Sequence, residues 1–221
     1  IDIFFTKSFR LKKKIVTGIL QVGLPTIVMN SIGSIMYTVA NFILGGFTTP
    51  IIANGETKQF AVGVWAFGIY FKLQSFAFMP CFGLNQGCIP IMGYNYGANL
   101  KKRFNKTYRT AIFLALGYMV FASIIFHAMP EILLKMFSVP DNTVVISEGA
   151  KALRLCAVCF IPAAVSVITI AMFNAVGHGI KAMAMSILRQ IGILIPVGFA
   201  LSKYTSMGLA GFWTAFPIAE T

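Results

Sequence analysis

Apolar residues run along this chain in six long stretches separated by short polar connections. The stretches cover roughly Ile15–Phe47, Phe60–Met92, Thr110–Met129, Ala152–Val176, Ala182–Leu201 and Met207–Thr221. A helix needs about 20 apolar residues to cross a bilayer, and four or five of the stretches reach that length. The first two are long enough to tilt or to project beyond the hydrocarbon; the sixth is short. Alternation of apolar and polar residues at a period of two is absent, which argues against a lipid-embedded β-barrel. The pattern predicts an all-α membrane protein, a bundle of six transmembrane helices.

Composition narrows the class further. Of 221 residues, 57% are hydrophobic and 11% are charged, against about 25% charged in a soluble domain. So few charges cannot cover a water-facing surface. The chain opens on Ile1 and its last apolar stretch stops at Thr221, from which a piece of a longer protein is expected.

The cations set an orientation. Lys7, Arg10, Lys12, Lys13, Lys14, Lys101, Lys102, Arg103, Lys106, Arg109 and Lys181 all fall on one side of the predicted bundle. Lys58, Lys135, Lys151, Arg154 and Lys203 fall on the other, with four of the six acids. The richer side is expected to be cytoplasmic. The net charge of +12 is then mostly this topology signal plus attraction to anionic lipid. Nucleic acid is not an expected partner, because the cations are divided among separate loops.

The exit of the second span, from Gly83 to Arg103, is punctuated by Gly87, Pro90, Gly93 and Gly97. The pairs Gly83/Gly87 and Gly93/Gly97 would let a neighbouring backbone approach. Pro90 is expected to break the helix, and Asn99 to cap the next one. Pro25, Pro80, Pro162, Pro196 and Pro217 all lie inside spans. Each removes a backbone hydrogen bond and can break or kink its helix. Interrupted helices are how many transporters build a central site.

Enzyme constellations are missing from the sequence, and an enzyme is not expected. Cys156 and Cys159 form a C-x-x-C within the fourth span, with no second pair and no histidine nearby in sequence. They read as packing residues rather than metal ligands.

The charges inside the spans carry the chemistry. Lys72 lies in the second span, Arg189 in the fifth and Glu220 near the end of the sixth. At about 1.5 Å per residue, all three fall at similar depth, slightly to the cytoplasmic side of the midplane. A lone charge there costs about 2.5–3.5 kcal/mol on insertion scales. Spans five and six are joined by a short connection, so Arg189 and Glu220 are expected to pair. Lys72 is expected to face a central cavity. Gln74 and Gln190 are further polar candidates.

The ordered segments QVGLPTIVMNSIG, FGLNQGCIPIMGYNYGANLKKR, FSVPD, LRLCAVCFIP, NAVGHGIKAMAMSILRQIGILIPV and GLAGFWTAFPIAE resemble the carboxy-terminal half of the multidrug and toxic compound extrusion transporters. The resemblance covers about Lys12 to Glu220. It implies that residues 1–14 end a cytoplasmic linker. Residues 15–221 would then form the second six-helix bundle of a twelve-helix, two-bundle transporter. It implies a multi-pass protein of the plasma membrane, in a bacterium its inner membrane. The expected activity is export of small organic, often cationic, compounds in exchange for protons or sodium. No cofactor or metal beyond the coupling ion is expected. The partners would be the amino-terminal bundle of the same chain and the lipid bilayer. One departure stands out. One branch of the family carries membrane carboxylates on the first and fourth helices of this bundle; here the first span offers Asn30 and no acid, and the fourth has none. Two other readings stay open: a flippase for lipid-linked sugars of related two-bundle design, and a membrane scaffold that transports nothing.

Overall fold

The computed structural model describes residues 12–53, 56–136, 143–205 and 208–220. Most of the expected linker, residues 1–11, lies outside them. Helix α1 covers Lys13–Leu44, α2 Val62–Gly97 and α3 Lys101–Ala128. A short α4, Pro130–Lys135, precedes α5, Thr143–Ala157, and α6, Phe160–Ala175. Then come α7, Gly179–Ile187, a π-helical segment, Leu188–Leu194, α8, Ile195–Tyr204, and α9, Leu209–Glu220. Helices α1, α2, α3 and the stretch Gly179–Tyr204 are each long and apolar enough to cross a membrane; α5 and α6 meet that test only together, as a pair bent by 48°, which makes the crossings four, or five if the bent pair is one span. Helix α9 has 12 residues and packs on α5, α8 and the π segment. The all-α membrane fold expected from the apolar stretches is the fold observed.

Several local expectations are corrected. Pro25 lies inside the continuous α1, Pro80 and Pro90 inside α2, and Pro217 inside α9. An interior proline takes one N–H out of the ladder and crowds the carbonyl four residues back, yet the helix runs on past each of these four prolines. Pro25 is buried against the backbone of Gly179 at the start of α7. Only Pro162 and Pro196 sit at irregularities. Pro162 follows the two-residue break between α5 and α6. Pro196 follows the π segment directly.

Asn99 does not cap α3. It closes α2 instead, in the left-handed region at φ 55°. The amide of Leu100 donates to the Asn95 carbonyl and that of Asn99 to the Tyr96 carbonyl, the Schellman arrangement with Asn in the usual glycine place. Gly177, at φ 77°, ends α6 in the same way, with His178 donating to Phe173. A further difference is a hairpin between α1 and α2. Strand β1, Thr49–Ala53, pairs antiparallel with β2, Glu56–Phe60. The Asn54-Gly55 dipeptide between them is a strong hairpin signal that the apolar pattern does not register.

The core gathers around α2, which packs on α3, α5 and α6. Phe67, fully buried, lies at its centre. Its ring stands 5.2 Å from Tyr37 and 6.2 Å from both Phe212 and Trp213, within the range of favourable aromatic pairs. Polar side chains tie the layers where backbone bonds are lost. Ser123 of α3 donates to the Ala157 carbonyl at the α5–α6 break, at 2.9 Å. Asn85 of α2 donates to the Val167 carbonyl at 2.8 Å. Of the four small-pair glycines at the end of α2, only Gly93 meets a neighbour: a Cβ there would stand 3.3 Å from the Ala175 carbonyl, whereas Gly83, Gly87 and Gly97 face open space.

Candidate functional site

The π-helical segment exists because Pro196 cannot donate to the carbonyl four residues before it, and its ring would collide with that carbonyl. The preceding turn widens to take up the mismatch, and such wide turns recur at functional sites. Here the wide turn carries Arg189 and Gln190. Arg189 Nη1 donates to Glu220 Oε2 at 2.9 Å, with the two side chains 22% and 17% exposed. The structure therefore brings together the two membrane charges whose depth matched in the sequence. Beside the pair, Gln190 is half-buried, and its Oε1 has no hydrogen-bond partner among the described residues.

One further irregular point lies on elements packed against α9. Cys159 closes the α5–α6 break, and the Tyr70 hydroxyl of α2 lies 3.9 Å from its Sγ. Helix α9, which carries Glu220, packs on both α5 and the π segment that carries Arg189. The site is thus assembled from the α5–α6 bend, the π turn and α9, which packs on α5, α6 and the π segment. Tyr70 is absent from the sequence-based candidates, and Cys159 figures there only as half of a C-x-x-C that reads as packing. Nothing in the pattern distinguishes Tyr70 from its aromatic neighbours. All four cysteines are free and buried.

Lys72 does not join this cluster. It lies two residues beyond Tyr70, about 200° round the helix at 3.6 residues per turn, and is exposed on the outer face of α2 with Ser75, Met79 and Gln86. Gln74 is half-buried on another side of α2. Asn30 is exposed on α1, in a polar stripe with Ser31, Ser34 and Thr38. The candidates therefore divide into an internal ion-pair cluster and two outward-facing polar faces.

A multi-pass α-helical bundle with a buried ion pair at a widened, proline-terminated turn defines a class of membrane protein. Comparison with known families then identifies it: a family model described as MatE matches residues 25–200, and the chain belongs to that family. It is 24% identical over 212 residues to the multidrug export protein MepA of Staphylococcus saprophyticus, covering 96% of this chain and 43% of that protein. It is 28% identical to the probable multidrug resistance protein NorM of Thermotoga maritima, covering 96% of this chain and 44% of the relative. The chain thus spans less than half the length of the curated relatives it matches. Among solved structures, a MOP superfamily transporter from Pyrococcus furiosus, described as having a binding pocket of reverse polarity, superposes with a TM-score of 0.85 at 24% identity, over 100% of this chain and 46% of that one. An outward-facing multidrug resistance MATE family transporter superposes at 0.83 with 23% identity, over 96% and 45%. These likenesses establish the fold.

Proposed function

We propose that this chain is the carboxy-terminal bundle of a two-bundle secondary antiporter that exports small organic cations in exchange for protons or sodium, in a bacterial inner membrane. The MatE match over most of the chain, with relatives named as multidrug exporters, carries this reading. The geometry supports it. The Arg189–Glu220 pair joins the π turn to α9, which also packs on α5 and α6 at their bend, and interrupted helices of that kind can take two arrangements as bundles rock about a central site. The coupling ion is the only cofactor this mechanism needs. The full-length transporter, expressed in cells lacking their own pumps, is expected to extrude ethidium only while a proton or sodium gradient is held. Ethidium retention that is the same with and without the protein sinks the reading.

One observation favours a second reading, transfer of an anionic lipid-linked sugar. Glu220 is the one acid in the apolar stretches and it is already engaged, whereas Lys72 stands exposed on α2. Gradient-independent movement of a pyrophosphate-linked lipid across reconstituted vesicles, with no ethidium efflux, selects that alternative.

A further inference from the structure

The cytoplasmic end of the α2–α3 hairpin carries a groove whose two ends differ in chemistry. Its walls are Leu84, Cys88 and Ile91 of α2 and Ala111 and Leu114 of α3. At the hairpin turn it is closed by Arg103, Lys106 and the hydroxyl-bearing Thr107 and Thr110. From Arg103 to Leu114 the groove runs about 16 Å along α3 at 1.5 Å per residue. Its cationic end lies at the turn and its apolar end points into the span. Ile91 and Leu114 are more than half exposed, so the apolar wall is open along its length.

The charge at the turn has no internal counterpart. The sequence between Glu56 and Glu131 contains no acid, and neither α2 nor α3, nor the adjoining α6, supplies one. Helix α3 begins at Lys101 with no acidic residue in its first turn and no side-chain cap on its first amides. Those amides and the positive end of the helix dipole add to the pull on an anion. Tyr94 and Tyr96, 74% and 55% exposed, stand beside the turn, as aromatic residues do at the headgroup level of a bilayer.

We propose that this groove binds one anionic phospholipid of the cytoplasmic leaflet, with the phosphate held between Arg103 and Lys106 and an acyl chain lying along Leu84, Ile91 and Leu114. A diffuse basic patch would attract anionic lipid without fixing it. Here the cations close the end of an apolar channel, so headgroup and chain are recognised together. The inference stands apart from the cargo and the coupling ion.

The test uses the full-length transporter in mild detergent, incubated with phosphatidylglycerol or phosphatidylcholine, and native mass spectrometry to count retained lipid. The wild type is expected to keep phosphatidylglycerol in preference. Arg103→Gln with Lys106→Gln is expected to weaken that retention by about thirtyfold, the effect of two cations at the headgroup. Lys101→Gln with Lys102→Gln removes the same charge from the same turn but outside the groove. That pair is expected to stay within about twofold of wild type, because neither lysine lines the groove. Equal loss from both pairs, or no preference in the wild type, overturns the site. Displacement of the bound lipid by soluble glycerol phosphate also overturns it, since the acyl chain would then contribute nothing.

Discussion

Arg189 and Glu220 can remain in an apolar bundle because each neutralises the other. Removing one partner strands a charge, and a buried pair broken in this way loses about 3–5 kcal/mol. Both side chains keep about a fifth of their surface exposed, so the loss is expected at about 2–3 kcal/mol, in the range of hydrogen bonds to charged groups. Arg189→Gln and Glu220→Gln should each lower the unfolding stability of the full-length protein in detergent by that amount. The double variant should lose less than the sum, because it leaves no lone charge. Strict additivity would mean that the two groups are not coupled. Lys72 poses the opposite problem, a cation without a described counter-charge. On the outer face of α2 it can be accommodated by a watery cavity and an acid elsewhere in the transporter. Lys72→Met, at matched expression, is expected to cut ethidium efflux and to shift its pH or sodium dependence. Unchanged efflux and unchanged dependence make the lysine a bystander.

At the scale of elements, close packing of α8 on α9 depends on glycine at one position above all. A Cβ on Gly211 would collide with the Leu201 carbonyl, and backbone cannot move aside as a side chain can. Gly211→Ala is expected to cost about 1–3 kcal/mol. Gly117, exposed on α3 with nothing within 4 Å of a Cβ, should instead gain about 0.5–1 kcal/mol on replacement by Ala. Denaturation of the two variants side by side checks the contrast, and equal effects would refute it. Gly211 illustrates what sequence pattern leaves out. Apolar length locates the long helices, though α3 and α5 each begin nine residues before their apolar stretch, and matched depth in a chain of short connections is enough to pair Arg189 with Glu220. The π turn before Pro196 and the unbroken helix through Pro80 share one signal, a proline in an apolar run. Which of them distorts its helix is decided by tertiary neighbours that the local pattern does not contain. The extension of α3 back to Lys101 is hidden for a similar reason: hydropathy marks where lipid ends, and helices continue past that point.

Viewed whole, the bundle has polar faces that its own packing leaves open. Its orientation follows from the cation bias and has a direct readout: Gln59→Cys on the hairpin should react with an impermeant maleimide added outside the cell, and Asn105→Cys at the start of α3 should not. The reverse pattern inverts the topology. The four cysteines of this chain are buried and should not compete for the reagent. The polar stripe of α1 raises the larger question. Asn30, Ser31, Ser34 and Thr38 are all exposed on one helix, and Ser31, Ser34 and Thr38 lie deep within a helix of 32 residues. The hydroxyls of Ser31 and Thr38 fold back onto their own helix, donating to the Ile27 and Ser34 carbonyls, which partly satisfies them. The Asn30 amide and the Ser34 hydroxyl make no such bond among the described residues, and hydrocarbon would leave them at a cost of several kcal/mol. A water-filled cavity removes that penalty, and a cavity between two bundles is what alternating access requires. Phe113 on α3 is the contrasting case, 71% exposed and apolar, as a lipid-facing position should be. Ser34→Cys in the full-length transporter is therefore expected to react with a water-soluble methanethiosulfonate reagent, at a rate that falls when cargo occupies the cavity, whereas Phe113→Cys stays unreactive. Equal protection of both positions would place the α1 stripe against protein or lipid and remove the cavity from this face of the bundle.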